Sequence, residues 1–241
     1  MPFAARHISW GYYGVGWNRG HPTAEYCGIC DPMQYATSIM TDPAQRANLH
    51  GYEDFTAAVA AGSLPAVSFV KPGDNDGHPA YSTLALFEDF TADVVRKVTA
   101  QPKLFADTAI LVTFDEGGGY YDSGYIEPVS FFGDGPRVPM LVVSPYAREG
   151  AVDHTYADHV SVLKFIERNW RLSPLSERST DNLPDPNSSA GNPYVPTNRP
   201  AVGDMFDYFN FAHAGATGAP PQLRGGARTS ANVVRVPNLA R

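Results

Sequence analysis

The sequence predicts an α/β fold in which a mostly parallel sheet is flanked by helices. Apolar and β-branched runs mark three strands, near residues 64–70, 108–114 and 138–143. Such runs are typical of strands that are buried on both faces. A helical pattern lies between the first two strands, and another follows the third. A strand, a helix and a strand in that order are typical of a parallel sheet with a right-handed crossover.

The helices are predicted from apolar periodicity and from the residues that end them. Residues 52–61 read as a short helix, and Gly62 fits its C-terminal cap. An amphipathic helix follows, marked by Leu84, Phe87, Val94, Val95 and Val98, and it stops before Pro102. Another runs from about residue 158 to residue 170, with its apolar side chains on one face.

The remaining segments are irregular. Residues 1–50 show weak periodicity, and the aromatic piece at 8–13 fits either a strand edge or a packed loop. Because a domain rarely begins with so long an irregular segment, we expect the fold to be incomplete at its N-terminus. We predict one α/β domain over 1–211, with an extended wrap from 172 to about 200 and an aromatic piece docking at 205–211. The Gly-, Ala-, Pro- and Arg-rich residues 212–241 are predicted to be a mobile tail.

Composition narrows the class of protein. The chain has 241 residues, of which 43% are hydrophobic and 18% charged, as is ordinary for a globular protein. The net charge of −7 and the lack of a basic run argue against a nucleic-acid partner. No stretch approaches 18 consecutive apolar residues, so no membrane span is predicted. The N-terminal residues also lack the pattern of a secretory signal peptide.

The only two cysteines, Cys27 and Cys30, are spaced as Cys-x-x-Cys. A structural zinc site needs four ligands, and no second pair exists. Pro22 before the pair and Asp31-Pro32 after it are residues typical of loops, which argues against a thioredoxin-like motif. A small local disulfide and two reduced thiols remain the alternatives.

The strand at 108–114 is followed by Asp115, Glu116 and three glycines. An unpaired buried charge is very costly, so the acidic pair must lie where the strand ends, at the sheet edge where α/β proteins bind ligands. The glycines at 117–119 permit a sharp turn and the close approach of a ligand. Two oxygen donors at this place suit a divalent metal ion. The alternative is a solvated acidic turn after a core strand.

Histidines follow the other two strands. His78 lies in a Gly-His-Pro turn after the first strand, and His154 and His159 come after the third. Asp, Glu and His at successive strand ends predict a metal-assisted hydrolase, in which imidazoles stabilise charge or carry protons. Alternatively, His78 only caps backbone carbonyls, and His159 is a first-turn helix residue behind the N-cap Asp158.

Several segments together resemble the bacterial phosphoesterase family, which includes acid phosphatases and phosphocholine-releasing phospholipases C. The segments are 64–70, 77–79, 114–122, 135–139 and 158–167. The resemblance covers roughly residues 8–210. It implies a fold similar to the alkaline phosphatase superfamily, hydrolysis of phosphoric esters with a divalent metal ion, and a periplasmic or secreted location.

The resemblance also implies roles for individual residues. Asp115 and Glu116 match metal ligands, and His78 is expected to face the phosphate. His78 and His159 are assigned as the catalytic residues. The implied substrate is a phosphate ester, which includes a lipid substrate acted on without membrane insertion.

The sequence departs from the family pattern at two places. Many members carry a His where Ser123 stands, which favours a phosphatase-like subgroup. Members also open with a strand ending in Glu-Asn and present a Ser or Thr nucleophile at a helix start, and neither is found here. The chain therefore resembles the C-terminal half of such an enzyme. The alternative is a non-catalytic relative that keeps the scaffold and binds metal or anions.

Overall fold

The structure is a computed structural model, and it describes residues 7–122 and 124–211. The chain divides into two compact units, Met1–Asp107 and Thr108–Arg241. The single domain predicted over 1–211 stays a prediction, and the tail predicted over 212–241 lies outside the described residues. None of the helices in the two described ranges is long and apolar enough to cross a membrane.

A three-stranded parallel sheet forms the centre of the first unit. The strands of this unit are β1 (Trp10–Gly14), β2 (Trp17–Asn18), β3 (His21–Pro22), β4 (Leu49–Gly51) and β5 (Val67–Lys71). Strand β1 pairs in parallel with β4 on one side and with β5 on the other, while β2 and β3 form a short antiparallel pair. All five residues of β1 are buried. The aromatic piece at 8–13 is thus the central strand, neither a sheet edge nor a loop.

Helices flank this sheet, as predicted. They are α1 (Thr37–Met40), α2 (Pro43–Arg46), α3 (Tyr52–Ala61), α4 (Leu84–Thr99) and α5 (Pro102–Phe105). Helix α3 buries Phe55 and Val59, and Gly62 ends it in the left-handed conformation with φ 63°. Tyr52 donates a hydrogen bond of 2.7 Å to Asp93, which joins α3 to α4. The predictions of both long helices of this unit, and of the Gly62 cap, are confirmed.

The cysteines of the first unit form a disulfide. Cys27 and Cys30 have a Cα–Cα distance of 5.3 Å. The bridge lies beside two short 3-10 turns, Gly28–Cys30 and Pro32–Tyr35. Of the two alternatives left by the sequence, the structure has the local disulfide.

The second unit contains β6 (Ile110–Thr113), β7 (Met140–Val143) and α6 (His159–Trp170). The predicted strands are present, but β6 and β7 pair antiparallel, with Thr113 opposite Met140. A parallel pair needs a crossover, usually a helix. Between these strands the described residues form turns and no helix, so the chain returns antiparallel. Within the second unit the strand at 108–114 thus has an antiparallel partner, which departs from the mostly parallel sheet that was predicted.

Strands β6 and β7 are also less buried than predicted. Each residue of β6 is half-buried, and Leu141 of β7 is 58% exposed. The half-burial of β6 differs from the burial on both faces that the apolar run predicted for 108–114.

The segment after α6 wraps around the helix, as predicted for residues 172–200. A buried lysine, Lys164, holds it through hydrogen bonds to the carbonyl of Leu183 at 2.8 Å, to Asp185 at 3.0 Å and to the carbonyl of Val202. The predicted docking of the aromatic piece at 205–211 is confirmed. It stacks on Phe165, whose ring lies 5.2 Å from that of Phe206 and 5.0 Å from that of Phe209.

Candidate functional site

The acidic pair follows β6 after one intervening residue, Phe114, and both Asp115 and Glu116 are exposed. Glu116 Oε2 accepts a hydrogen bond of 2.7 Å from the Gly118 amide. The Tyr120 amide donates to the Gly117 carbonyl at 3.0 Å, which closes the turn. Gly118 has φ 61°, a value that glycine adopts without strain. Asp115 and Glu116 thus lie at the start of a turn that is closed by hydrogen bonds from backbone amides.

His159 reaches the end of β6 from the first residue of α6. Its Nε2 lies 2.8 Å from the carbonyl oxygen of Phe114, the residue before the acidic pair. A carbonyl oxygen can only accept, so Nε2 carries the hydrogen and Nδ1 is the acceptor of the neutral ring. Asp158 caps the helix by accepting from the amides of Val160 and Ser161. His159 is therefore both a first-turn residue and a neighbour of the acidic pair.

The route by which His159 reaches this place differs from the prediction. Parallel strands would have brought successive carboxyl ends to one edge. Because β7 is antiparallel, it ends beside Ile110, at the far end of β6. The chain covers that distance over residues 144–158, and α6 then begins near Phe114. His154, in this return segment, is exposed and packs edge-on against Tyr194.

An ion pair fixes the far end of the glycine turn. Arg137 donates to the carboxylate of Asp122 from its amide at 2.7 Å, from Nε at 3.0 Å and from Nη2 at 2.6 Å. The hydrogen bonds from Arg137 hold the pKa of Asp122 well below its usual range. A Cβ at Gly124 would lie 2.0 Å from Arg137 Cζ, so the backbone passes directly against the guanidinium. This pair holds the segment that follows the acidic residues to the segment before β7.

A cavity of about 260 Å³ opens beside this turn. Its lining includes Gly117, Tyr120, Tyr121, Asp122, Pro136 and Arg137. Tyr121 is 93% exposed, so the cavity is bordered by an aromatic side chain that reaches into solvent. The cavity is thus lined by the Asp122–Arg137 ion pair and by two tyrosines, and it adjoins the turn that follows the acidic pair.

A second fixed segment was not predicted from the sequence. The hydroxyl of Tyr156 accepts from the Glu127 amide at 3.1 Å and donates to the carboxylate of Asp134. Glu127 is fully buried and accepts from the hydroxyl of Tyr125. Burial, followed by the hydrogen bond to Asp134, raises the pKa of Tyr156. Residues 123–134 lie between the two segments, 114–122 and 135–139, on which the family resemblance was based, and no sequence pattern indicated their contacts.

His78 lies in the first unit, in a turn that is closed by its neighbours. The carboxylate of Asp76 accepts from the His78 amide at 2.8 Å and from the Tyr81 hydroxyl at 2.9 Å. The His78 ring stacks on the Tyr81 ring at 4.8 Å. Ala80 has φ 81°, an unusual value for a residue with a side chain. His78 is held in one orientation, and its predicted place opposite the phosphate stays a prediction.

The described residues fit a divalent ion in donor type but not in donor number. Carboxylate oxygens are the donors that such an ion prefers, and it needs about six ligands in all. Within 7–122 and 124–211, no group of three or more His, Cys, Asp or Glu side chains is placed to hold a metal. His159 uses its Nε2 hydrogen on Phe114. Metal binding by Asp115 and Glu116 stays a prediction.

Comparison with known proteins gives a family match over most of the chain. The model of the Phosphoesterase family matches residues 3–173. The non-hemolytic phospholipase C of Pseudomonas aeruginosa is 30% identical over 189 residues, which are 64% of this chain and 25% of that protein. Phospholipase C B of Mycobacterium tuberculosis is 32% identical over 196 residues, 70% of this chain and 32% of that protein.

A third relative is named as a different enzyme. The probable acid phosphatase of Kluyveromyces lactis is 26% identical over 173 residues, which are 71% of this chain and 38% of that protein. The chain therefore spans about a quarter to two fifths of the length of these relatives.

Proposed function

This chain belongs to the phosphoesterase family, and from that premise we propose that it serves in the hydrolysis of phosphoric esters. The observation that carries the proposal is the acidic pair, which a closed turn presents at the end of β6 with His159 bound to the residue before it. Relatives named as phospholipase C and as acid phosphatase support a phosphoric ester as the substrate.

The acidic pair is proposed to provide two oxygen ligands to a divalent metal ion. Such an ion, when bound, acts as a Lewis acid on a phosphoryl oxygen. Asp115 and Glu116 supply only part of its ligand set, which would leave most of the remaining positions to water. Glu116 is already oriented by the Gly118 amide, which reduces the entropy lost when it binds an ion.

The histidines are proposed to stabilise developing charge or to transfer protons. The Nε2 hydrogen of His159 is held by Phe114, which leaves Nδ1 as the ring position that accepts a proton. His78 is retained as a catalytic residue on the resemblance alone.

The second candidate function is a non-catalytic scaffold that binds metal or anions. It is favoured by the small number of metal donors among the described residues. It is also favoured by the lack of a recognisable nucleophile segment in the sequence. In this case the acidic pair would bind an ion weakly and no ester would be turned over.

The proposed location is the periplasm or the cell exterior. Disulfides persist in oxidising compartments and are rare in the cytosol. The Cys27–Cys30 bridge is the feature of this chain that supports export.

Titration with Mn²⁺, Zn²⁺ and Ca²⁺ by calorimetry tests the proposal on the whole chain. We expect weak binding that Asp115→Ala or Glu116→Ala weakens by more than tenfold, because each removes a ligand. Glu149→Ala is the matched control, since Glu149 is an exposed acid of the same unit. Binding that is equal in all four proteins would contradict the proposed site.

Turnover then separates the two candidate functions. Hydrolysis of a phosphate ester that depends on Asp115 supports the enzyme. Metal binding through the acidic pair without turnover supports the scaffold.

A further inference from the structure

Two phenylalanines of the second unit are almost fully exposed. Phe131 is 97% exposed and Phe132 is 93% exposed, and their rings contact each other edge to face at 5.4 Å. They occupy the tip of a turn that is closed by a hydrogen bond of 3.0 Å from the Gly133 amide to the Ser130 carbonyl. The Ser130 hydroxyl also accepts from the Phe132 amide at 3.2 Å. The turn thus holds two large apolar side chains out in solvent.

The base of this turn is fixed at both ends by one side chain. The Tyr156 hydroxyl accepts from the amide of Glu127, before the turn, and donates to the carboxylate of Asp134, after it. Glu127 is fully buried, so this end is anchored in the interior of the unit. A turn with a fixed base presents its phenylalanines in a defined position, which a loose loop would not.

We propose that this turn inserts its tip into the interfacial region of a lipid bilayer. The six residues at 128–133 carry no charge, and charged groups are the ones that resist transfer into a membrane. Aromatic side chains favour the boundary between headgroups and acyl chains. The convex, uncharged tip fits a zwitterionic lipid surface.

The size of the tip favours a lipid surface over a protein partner. An aromatic side chain buries roughly 150–250 Å², so the two offer at most about 500 Å². A stable protein interface needs roughly 800 Å² from each partner. Binding to a membrane interface scales with the apolar area that is buried and has no such minimum, so a small tip fits weak, reversible insertion.

The interaction goes beyond the proposed hydrolysis and does not depend on it. It would hold the second unit, which carries the acidic pair, at a surface of phosphoric esters. It also revises the expectation of a lipid substrate without membrane insertion, because the sequence alone does not show which aromatics are exposed. The inserted element is a turn tip and does not span the bilayer.

Co-sedimentation of the whole chain with phosphatidylcholine vesicles tests the proposal without any turnover. We expect the double variant Phe131→Ser/Phe132→Ser to bind at least tenfold more weakly, because burial of a phenylalanine is worth about that factor. Its melting temperature should not fall, since both side chains are exposed. Leu175→Ser is the control, because Leu175 is 60% exposed in the same unit but lies outside the turn.

A direct signal comes from a fluorescent variant. Phe131→Trp should shift its emission to the blue on addition of vesicles, and lipids brominated near the headgroup should quench it. Failure of the chain to bind vesicles, or equal binding by the double variant, overturns the proposal. So does a double variant that loses self-association in sedimentation velocity but keeps its vesicle binding, since the tip would then contact protein.

Discussion

His159 Nε2 donates a hydrogen bond of 2.8 Å to the carbonyl oxygen of Phe114. The bond joins the first residue of α6 to the end of β6, immediately before Asp115. The amino terminus of a helix attracts negative charge, and here it is brought to the strand end that carries two carboxylates. One side chain thus connects the helix, the strand and the acidic pair.

Replacement of His159 tests this connection. His159→Ala removes the donor to Phe114, so we expect faster amide exchange over residues 115–119. His159→Gln keeps an amide donor that can reach the same carbonyl, so exchange should return toward the rate of the unsubstituted chain. The fall in stability of the alanine variant should be about 1 kcal/mol, as for a typical hydrogen bond. Equal exchange in all three proteins would show that the bond does not order the turn.

The Asp122–Arg137 pair leads to a second prediction. Arg137→Lys should lower the melting temperature and the metal affinity of the acidic pair nearly as much as Arg137→Ala, because lysine cannot reproduce the planar fork that faces Asp122. Arg178→Lys, at an exposed arginine of the same unit, is the control. A lysine variant that behaves like the unsubstituted chain would mean that charge alone is sufficient.

The same pair has a defined pH dependence. The hydrogen bonds from Arg137 lower the pKa of Asp122 in the folded state. A lowered folded pKa adds stability that is present above the ordinary aspartate pKa and is lost as the pH falls through the folded value. The Asp122–Arg137 ion pair should therefore still be formed at pH 4, and Asp122→Asn should remove its contribution to folding stability at that pH. Thermal melts at pH 4 and pH 7 measure it.

Sequence patterns predicted the helices well and the strand pairing poorly. Helices α3, α4 and α6 each follow from local periodicity and caps, such as Gly62 and Asp158, which act within a few residues. Pairing depends on contacts distant in sequence. Strand β6 pairs antiparallel with β7, which was not predicted, because the described residues between the two strands form turns and no helix. Strand β1 was not predicted as the central strand, because its aromatic and glycine residues are also typical of a packed loop.

The candidate site was predicted in part for the same reason. The place of Asp115 and Glu116 at a strand end follows from the cost of burying charge. It can be inferred from this one segment of the sequence, without knowledge of distant contacts. The hydrogen bond from His159 to Phe114 joins residues far apart in sequence, and so does the hydrogen bond that the Tyr156 hydroxyl accepts from the Glu127 amide. No spacing rule indicates such contacts.

A buried pair of acids, Glu167 of α6 and Asp181 of the segment that follows it, gives a further prediction. Burial, followed by the hydrogen bond to Asp181, raises the pKa of Glu167 to about 7. Glu167 Oε1 and Asp181 Oδ1 are both buried, and no donor among the described residues reaches either; a proton held between the two carboxyl groups would satisfy both. A raised folded pKa gives stability that is full below the ordinary glutamate pKa and is lost as the pH rises through about 7.

Thermal melts between pH 4.5 and pH 8 measure this effect. Stability should fall as the pH rises across that range, and Glu167→Gln should flatten the fall, because glutamine keeps a donor toward Asp181 at every pH. Glu177→Gln, at an exposed acid, is the control and should leave the profile unchanged. A profile that is as steep in Glu167→Gln as in the unsubstituted chain would assign the fall to other groups.

The last prediction concerns activity of the chain by itself, which we expect to be little or none. Phosphoryl transfer needs a nucleophile, a fully ligated metal and groups that stabilise charge. The described residues contain no three-ligand metal cluster, and no nucleophile segment is recognised in the sequence. Catalytic groups act as a unit, so the remaining members do not replace a missing one. The assay uses a chromogenic phosphate monoester and a phosphodiester with added divalent metals. Robust turnover that Asp115→Ala abolishes and Glu149→Ala preserves would contradict this prediction, and would assign the nucleophile to a Ser or Thr of this chain.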